Sequence, residues 1–223
     1  MKVPSWLAPK ILNVVDDLMS WSVQRHPGRE RLKAAKVVAH RGAHDLDLEN
    51  TLPAFARAAD LGAWGIEFDI RWAACGTPVV HHDATLLRLF NDPTPISQLT
   101  FAELRAKHPQ IPSLREVIAA NRGRCHMFIE IKGKPQEISQ ENWQALQREI
   151  AGLEAVTDFH IMSLNTDTLA ACPAAPAASK LPIAEINVSE LSQIAINNKY
   201  GGMTGQYVLL TKTFAARHHA HKQ

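Results

Sequence analysis

The stretch GIEFDI at residues 65–70 is an apolar run that carries two carboxylates, Glu67 and Asp69. Short continuous apolar runs are typical of strands that are buried on both faces of a parallel sheet. Because side chains two positions apart on a strand point to the same side, Glu67 and Asp69 share a face. Uncompensated charge is costly among apolar neighbours, so we interpret both carboxylates as functional rather than as a solvated surface.

Similar short runs recur on either side of this stretch and alternate with helical patterns. Strands are predicted at residues 36–40, 65–70, 78–82, 127–132, 159–163 and 181–186, with a further strand at 207–210. Helices are predicted to start near 50–53 and to lie at 114–120, 142–150, 167–171 and 211–221. This alternation predicts an α/β fold with a parallel sheet.

The chain has 223 residues, which is enough for one large domain. Residues 1–35 are predicted to be an N-terminal helical extension, because apolar side chains between 11 and 21 recur at helical spacing. We expect this helix to dock on the body of the protein, residues 36–223. Contact with a membrane surface is the alternative, which the acidic polar face of the helix disfavours.

Charge and composition exclude several classes of protein. The 24 basic and 22 acidic side chains give a net charge of +2, which argues against a nucleic-acid-binding polycation. The hydrophobic share of 46% excludes disorder as the main state. The first residues lack the pattern of a secretory signal. Cys75, Cys125 and Cys172 lie far apart, so we expect free thiols and a cytoplasmic location.

Polar side chains lie at the ends of four successive predicted strands. In a barrel of parallel strands the functional groups gather at the carboxyl end, so we expect these side chains to face one cavity. They comprise two imidazoles, three carboxylates and two cations: His40, His82, Glu67, Asp69, Glu130, Arg41 and Lys132.

This combination of residue types suits phosphoryl transfer. Adjacent carboxylates repel one another, and a hard divalent cation such as Mg²⁺ or Ca²⁺ relieves that repulsion. Arg41 and Lys132 would then bind a phosphate, although Lys132 could instead simply pair with Glu130. His40 and His82 can serve as acid and base near neutral pH.

Several neighbouring residues have a structural interpretation beside the functional one. Glu49 could be a first-turn helix residue that the helix dipole favours. We expect His81 and Asp83 to point away from the cavity or into a turn. We interpret the histidine cluster at 218–221 as solvated.

Six stretches of sequence follow one another in a specific order between about residues 37 and 169. They are VAHRG at 38–42, ENTLPAF at 49–55, GIEFDI at 65–70, TPVVHHD at 77–83 with Leu86 and Arg88, IPSL at 111–114 and IEIK at 129–132. In this order the sequence resembles the glycerophosphodiester phosphodiesterase family.

The resemblance implies a (β/α)₈ TIM barrel that hydrolyses phosphodiesters of glycerol to an alcohol and glycerol 3-phosphate with Mg²⁺ or Ca²⁺. It implies that Glu67, Asp69 and Glu130 hold the metal, that His40 and His82 are the acid–base pair, that Arg41 and Lys132 bind the phosphate, and that Glu49 supports the metal or His40. Which histidine is the base stays open.

The sequence also departs from the family pattern. Residues 73–76 read AACG where the family often has TKDG, and LFND at 89–92 replaces threonines that are common there. The family's late strands are not recognisable, and residues 36–223 are fewer than the roughly 200 of a minimal barrel. We therefore expect a barrel that is incomplete at its C-terminus, through truncation, closure by another subunit of a homo-oligomer, or degeneration.

The function that we predict is metal-dependent hydrolysis of a small-molecule glycerophosphodiester, as part of lipid metabolism. One alternative is lysophospholipase D-like activity on lipid substrates, with the N-terminal helix as the lipid contact. The other is a catalytically impaired barrel that acts as a binding or regulatory module. No nucleic-acid partner is expected.

Overall fold

The computed structural model describes residues 36–185, 187–205 and 218. The strands are β1 Val38–His40, β2 Gly65–Trp72, β3 Pro78–Val80, β4 His126–Ile131, β5 Phe159–Ser163, β6 Lys180–Ala184 and β7 Thr204–Gly205. The helices are α1 Leu52–Asp60, α2 Leu87–Phe90, α3 Phe101–Lys107, α4 Leu114–Asn121, α5 Gln140–Ile150, α6 Thr166–Ala171 and α7 Val188–Asn197. Short 3₁₀ helices lie at Ile96–Gln98, Pro135–Glu137 and Ala177–Ser179.

The strands form one sheet in the order β1-β2-β4-β5-β6-β7, and these neighbours pair in parallel. The predicted α/β fold with a parallel sheet is therefore confirmed. β2 lies between β1 and β4, with His40 opposite Glu67 and Asp69 opposite Glu130. This register aligns polar positions of three strands at the carboxyl end of the sheet.

The core lies between the sheet and its helices. Ile66, Phe68 and Ile70 of β2 are fully buried, and Phe68 packs on Phe55 of α1 with ring centroids 5.6 Å apart. α1 begins after Thr51, whose hydroxyl accepts a hydrogen bond from the Ala54 amide. Such capping and the apolar face of the helix hold α1 against β2.

The segment predicted as a third parallel strand at 78–82 is instead an antiparallel strand. β3 pairs with β2 as a hairpin arm, with Ile70 opposite Val80. Only residues 73–77 connect the two strands, whereas a parallel crossover needs about a dozen residues or more. Gly76 turns the chain with φ of +76°, a conformation that favours glycine.

Some helices differ from the sequence-based prediction. α2 and α3 follow β3 and cover a second apolar cluster around Val79 and Leu104, and α7 was not predicted. The predicted N-terminal helix, strand 207–210 and helix 211–221 lie outside the described residues apart from His218. His218 is buried, and its Nε2 lies 2.9 Å from the Ser192 hydroxyl, so the solvated interpretation is wrong for this residue. Among the described residues, no helix is long and apolar enough to cross a membrane.

Two histidines form a directional pair at the amino-terminal ends of β4 and β5. Nδ1 of His126 lies 2.9 Å from the Thr157 carbonyl, and its Nε2 lies 2.8 Å from Nδ1 of His160. A carbonyl can only accept, so Nδ1 of His126 carries a proton. Burial lowers the pKa of His126 and favours its neutral form, in which Nε2 accepts from the His160 Nδ1–H. The pKa values of both imidazoles are lowered, so both rings favour the neutral form at pH 7. Burial and the neighbouring His126 lower the pKa of His160 to about 4.

We expect acid to destabilise the protein through this pair. The pKa of His160 is lower in the folded than in the unfolded state, so its contribution is complete above an ordinary histidine pKa near 6.5 and is lost as the pH falls towards 4. His160→Asn keeps a donor near Nδ1 but does not titrate, and should flatten the pH dependence of the unfolding free energy between pH 6.5 and 4. Urea unfolding across this range measures the slope, and an unchanged slope in the variant contradicts the assignment.

Candidate active site

Three buried carboxylates converge at the carboxyl end of the sheet. Glu67 and Asp69 extend from β2 and Glu130 from β4, and their exposed fractions are 6%, 0% and 6%. One carboxylate oxygen from each lies within 4.8 Å of the others. The period-two pattern and the parallel register bring these side chains together, so we call Glu67, Asp69 and Glu130 the acidic cluster.

Two cations compensate part of this negative charge. Nζ of Lys132 lies 2.9 Å from Oδ1 of Asp69 and 2.6 Å from Oε1 of Glu130. Nε of Arg41 lies 3.3 Å from Oδ2 of Asp69. Lys132 therefore pairs with Glu130, which was the structural alternative to phosphate binding. It also contacts Asp69, so its ammonium lies beside two members of the acidic cluster.

The carboxylates differ in their pKa. Burial, together with the charges of Asp69 and Glu130, raises the pKa of Glu67 to about 8. Burial also acts to raise the pKa of Asp69, but the charge of Lys132 and the hydrogen bond from Asn50 outweigh it and lower that pKa. Burial raises the pKa of Glu130 despite Lys132. The neutral form is therefore favoured at Glu67 and the ionised form at Asp69.

The donor set fits a hard divalent cation. Oδ1 of Asp69 and Nε of Arg41 are buried without a well-directed hydrogen bond and have only ion-pair contacts. The cluster offers oxygen ligands alone, which Mg²⁺ and Ca²⁺ prefer. A bound cation would also offset the burial and the carboxylate repulsion that raise the pKa of Glu67.

Asn50 is a site residue that the sequence analysis missed. Its Nδ2 donates to Oδ2 of Asp69 at 2.8 Å, and the Asp69 amide lies 3.4 Å from its Oδ1. Asn50 is buried and has φ of +59°, in the left-handed region that asparagine tolerates better than most residues. The contact joins residues that are 19 positions apart, so no local pattern in the sequence indicated this role.

The backbone of the turn after β1 places the Arg41 side chain beside Asp69. Arg41 has φ of +56°, and its amide donates to the Glu67 carbonyl at 2.8 Å. Gly42 follows with φ of +85°, and a Cβ there would lie 2.8 Å from atoms of Ala54. A larger residue at 42 would therefore clash with α1 and displace Arg41.

The two predicted histidines have different surroundings. Nε2 of His40 lies 3.7 Å from Oε2 of Glu67, and its side chain is 67% exposed. Nδ1 of His82 lies 2.9 Å from Oδ1 of Asp83, and the His82 carbonyl accepts a hydrogen bond from Nε of Arg71 at 2.8 Å. Burial is the main cause that lowers the pKa of both imidazoles.

Glu49 contacts cations rather than the acidic cluster. Its Oε1 lies 3.0 Å from Nη1 of Arg41, and Arg88 binds it through both terminal nitrogens at 3.0 and 2.5 Å. Thr51 caps α1, whose first turn holds no acidic residue, so the helix-dipole interpretation of Glu49 is wrong.

The residues that flank His82 differ from each other. His81 is buried, and its Nε2 lies 3.3 Å from the Thr85 carbonyl, within the turn as expected. Asp83 contacts both His82 and Arg88 and is thus part of the site's surroundings.

Comparison with known proteins identifies a family. The sequence profile of the glycerophosphoryl diester phosphodiesterase family matches residues 40–212. Glycerophosphodiester phosphodiesterase 1 of Rattus norvegicus is 34% identical over 139 residues, which are 52% of this chain and 41% of the relative. The human protein of the same name is 34% identical over 127 residues, 50% of this chain and 37% of the relative. The chain spans about two fifths of the length of these relatives.

Solved structures share the fold. A glycerophosphodiester phosphodiesterase from Thermotoga maritima superposes with a TM-score of 0.69 at 24% identity, covering 86% of this chain and 80% of the other. An Oleispira antarctica phosphodiesterase, solved in complex with the product sn-glycerol-3-phosphate, gives a TM-score of 0.69 at 21% identity, covering 85% and 82%. The described residues therefore form part of the predicted (β/α)₈ barrel, with six strands that pair in parallel.

Glu67→Gln should separate metal binding from folding. Because its raised pKa favours the neutral form of Glu67, the uncharged isostere should change the melting temperature little in the presence of a chelator. Mg²⁺ or Ca²⁺ should raise the melting temperature of the unmodified chain by mass action, and this increase should be mostly lost in the variant. Thermal unfolding with and without the cation measures both effects. An equal increase in the two proteins contradicts a role for Glu67 in cation binding.

Proposed function

The chain belongs to the glycerophosphoryl diester phosphodiesterase family, and we propose that it hydrolyses glycerophosphodiesters to an alcohol and glycerol 3-phosphate. The observation that carries the proposal is the buried acidic cluster, which has Lys132 and Arg41 in contact with it and His40 at its edge. Anionic ligands for a cation, fixed cations for a phosphate and imidazoles for proton transfer are the three requirements of phosphodiester hydrolysis.

In this proposal Glu67, Asp69 and Glu130 would hold a divalent cation, Mg²⁺ or Ca²⁺. When bound, the cation supplies charge neutralisation and Lewis acidity at the phosphate. The all-oxygen donor set supports this choice of cations. Three ion-pair contacts, two from Lys132 and one from Arg41, hold Asp69 and Glu130 in place.

In this proposal Arg41 and Lys132 donate hydrogen bonds to the non-bridging phosphate oxygens. The planar guanidinium of Arg41 suits two-point contact with a phosphate, whereas Lys132 contributes a compact charge. Glu49 is the supporting residue in this proposal, because it accepts from Nη1 of Arg41 and so orients the guanidinium. Charge that develops on phosphate oxygens would meet the guanidinium of Arg41 already oriented by Glu49.

His40 and His82 form the acid–base pair in this proposal. One imidazole removes a proton from the nucleophile that attacks phosphorus, which is either water or the substrate's own hydroxyl, and the other protonates the departing alcohol. If the substrate's hydroxyl attacks, a water molecule then opens the cyclic phosphate to give glycerol 3-phosphate. The lowered pKa values of His40 and His82 favour uncharged imidazoles at pH 7. The histidine that acts as the acid must therefore gain its proton when the negatively charged substrate binds. Proton transfer of this kind typically contributes about 10²–10⁴-fold to a rate.

We also propose a cytoplasmic location and a role in lipid metabolism. The location is supported by Cys75, Cys125 and Cys172, which are all free thiols in the structure. The role follows from the proposed product, because glycerol 3-phosphate links headgroup removal to lipid synthesis and breakdown. Membrane contact through residues 1–35 and a homo-oligomer stay predictions, as does the division of the chain at residue 36.

Hydrolysis of glycerophosphocholine with added Mg²⁺ or Ca²⁺ tests the proposal. His82→Ala should lower kcat by about 10²–10⁴-fold, because it removes a proton-transfer group. His44→Ala is the matched control, since His44 is an exposed imidazole in the turn that follows Arg41, and it should retain activity. Release of glycerol 3-phosphate measures turnover, and a chelator should abolish it.

Other results would favour the alternatives. Cation binding by a folded chain that turns over neither glycerophosphodiesters nor lysolipids would favour a binding or regulatory barrel. Turnover of lysolipids alone would favour lysophospholipase D-like activity. Equal turnover by the unmodified chain and His82→Ala would contradict the proposed role of His82.

A further inference from the structure

Arg88 connects two loops that carry site residues. It lies on α2, and its two terminal nitrogens contact Glu49, in the loop after β1, at 3.0 and 2.5 Å. Its Nε donates to Oδ2 of Asp83, in the loop after β3, at 2.6 Å. Glu49 and Asp83 are therefore held by three donors of a single planar guanidinium.

The contacts of Arg88 continue on both sides into the candidate active site. On one side Glu49 contacts Arg41, and Arg41 contacts Asp69 of the acidic cluster. On the other side the second oxygen of Asp83 lies 2.9 Å from Nδ1 of His82. The guanidinium thus links the phosphate-binding candidate Arg41 to the catalytic candidate His82 through one carboxylate on each side.

These contacts differ from an ordinary surface ion pair. An exposed pair is typically worth about 0–1 kcal/mol, because solvent screens the charges and the side chains lose entropy. The Arg88 side chain is 45% exposed, but its partner Glu49 is only 12% exposed and is shared with Arg41. Directed contacts to two carboxylates fix a guanidinium more firmly than a single point contact does. The network is therefore suited to fixing geometry rather than to adding stability.

The neighbourhood of Arg88 is also anchored by apolar packing. Leu86, two residues earlier, is fully buried in the second apolar cluster. Phe90, two residues later, stacks on His81 and lies against His108. Arg88 therefore projects from a fixed segment, and its reach to Asp83 and Glu49 is determined by packing.

Asp83 determines which nitrogen of His82 is available. Burial acts to raise the pKa of Asp83, but its hydrogen bonds with His82 and Arg88 outweigh it and lower that pKa. An ionised carboxylate only accepts hydrogen bonds, so Nδ1 of His82 must be the donor. Nε2 is then the nitrogen that can exchange a proton with a substrate.

We propose that Arg88 is a positioning residue, which clamps Asp83 to Glu49 and so keeps the His82 imidazole in the Nδ1–H form with Nε2 available for proton transfer. The inference rests on the proposed function, which assigns proton transfer to His82. The contacts of Arg88 with Asp83 and Glu49 do not depend on the identity of the substrate. Arg88 acts through Asp83 and touches neither the acidic cluster nor the reacting atoms.

Arg88→Met tests the proposal, because methionine keeps an unbranched apolar stem but has no donors. We expect kcat for glycerophosphocholine to fall by about 10–100-fold, the usual cost of losing a group that orients a site residue, while KM changes by less than about threefold. Arg88→Lys retains the charge without the planar fork and should recover part of kcat. The ¹⁵N NMR shifts of the His82 ring at pH 8, assigned with His82→Ala, should show Nδ1–H in the unmodified chain and a mixture of tautomers in Arg88→Met.

Arg115→Met is the matched control. Arg115 forms a two-point pair with Glu149 at 2.9 and 3.0 Å on an exposed surface, so its removal breaks a similar contact elsewhere. In Arg115→Met, kcat and the His82 tautomer should remain unchanged. The melting temperatures of Arg88→Met and Arg115→Met should both be close to that of the unmodified chain.

Three outcomes would overturn the proposal. One is an unchanged tautomer in Arg88→Met, whatever its activity. Another is an unchanged kcat in an Arg88→Met chain that remains folded. The third is an equal loss of kcat in the control. If the unmodified chain hydrolyses no glycerophosphodiester, the proposed function fails, but the NMR comparison still decides whether Arg88 sets the tautomer.

Discussion

The repulsion among three buried carboxylates is the constraint on which the site depends. Asp69 and Glu130 face each other across neighbouring parallel strands, and Glu67 lies two residues earlier on the same face as Asp69. Buried charges of one sign are tolerated only with compensation. Lys132 and Asn50 lower the pKa of Asp69, whereas burial and the charges of Asp69 and Glu130 raise the pKa of Glu67 to about 8. The unequal compensation makes the cluster a ready ligand set for a cation.

This constraint also explains the unusual backbone of the loop after β1. The loop must bring both the guanidinium of Arg41 and the amide of Asn50 to Asp69, and both residues adopt positive φ. Left-handed conformations cost non-glycine residues about 1 kcal/mol or more and persist where contacts over-determine them. Here the buried hydrogen bond from Asn50 and the ion pair of Arg41 offset that cost.

Sequence patterns predicted the features that depend on residues close together in the sequence. The period of two within GIEFDI placed Glu67 and Asp69 on one face, and the apolar run at Phe159–Ser163 is a strand with those bounds. The antiparallel β3 was mistaken for a parallel strand, although the short connection at 73–77 could have excluded it. Asn50 and Arg88 were not assigned roles, because Asn50 contacts Asp69 across 19 residues and Arg88 contacts Glu49 across 39. Such contacts depend on loop conformations that no local pattern encodes.

Lys132 and a divalent cation would use the same oxygens, which couples their positions. In the structure Nζ of Lys132 lies within 3 Å of both Oδ1 of Asp69 and Oε1 of Glu130. A cation that binds these carboxylates removes part of the charge that holds Lys132, and the ammonium then becomes available to another anion. Arg41 is less affected, because Glu49 holds its Nη1 independently of the acidic cluster. The position of Lys132 therefore depends on whether a cation occupies the acidic cluster. The position of Arg41 depends mainly on its contact with Glu49, which lies outside the cluster.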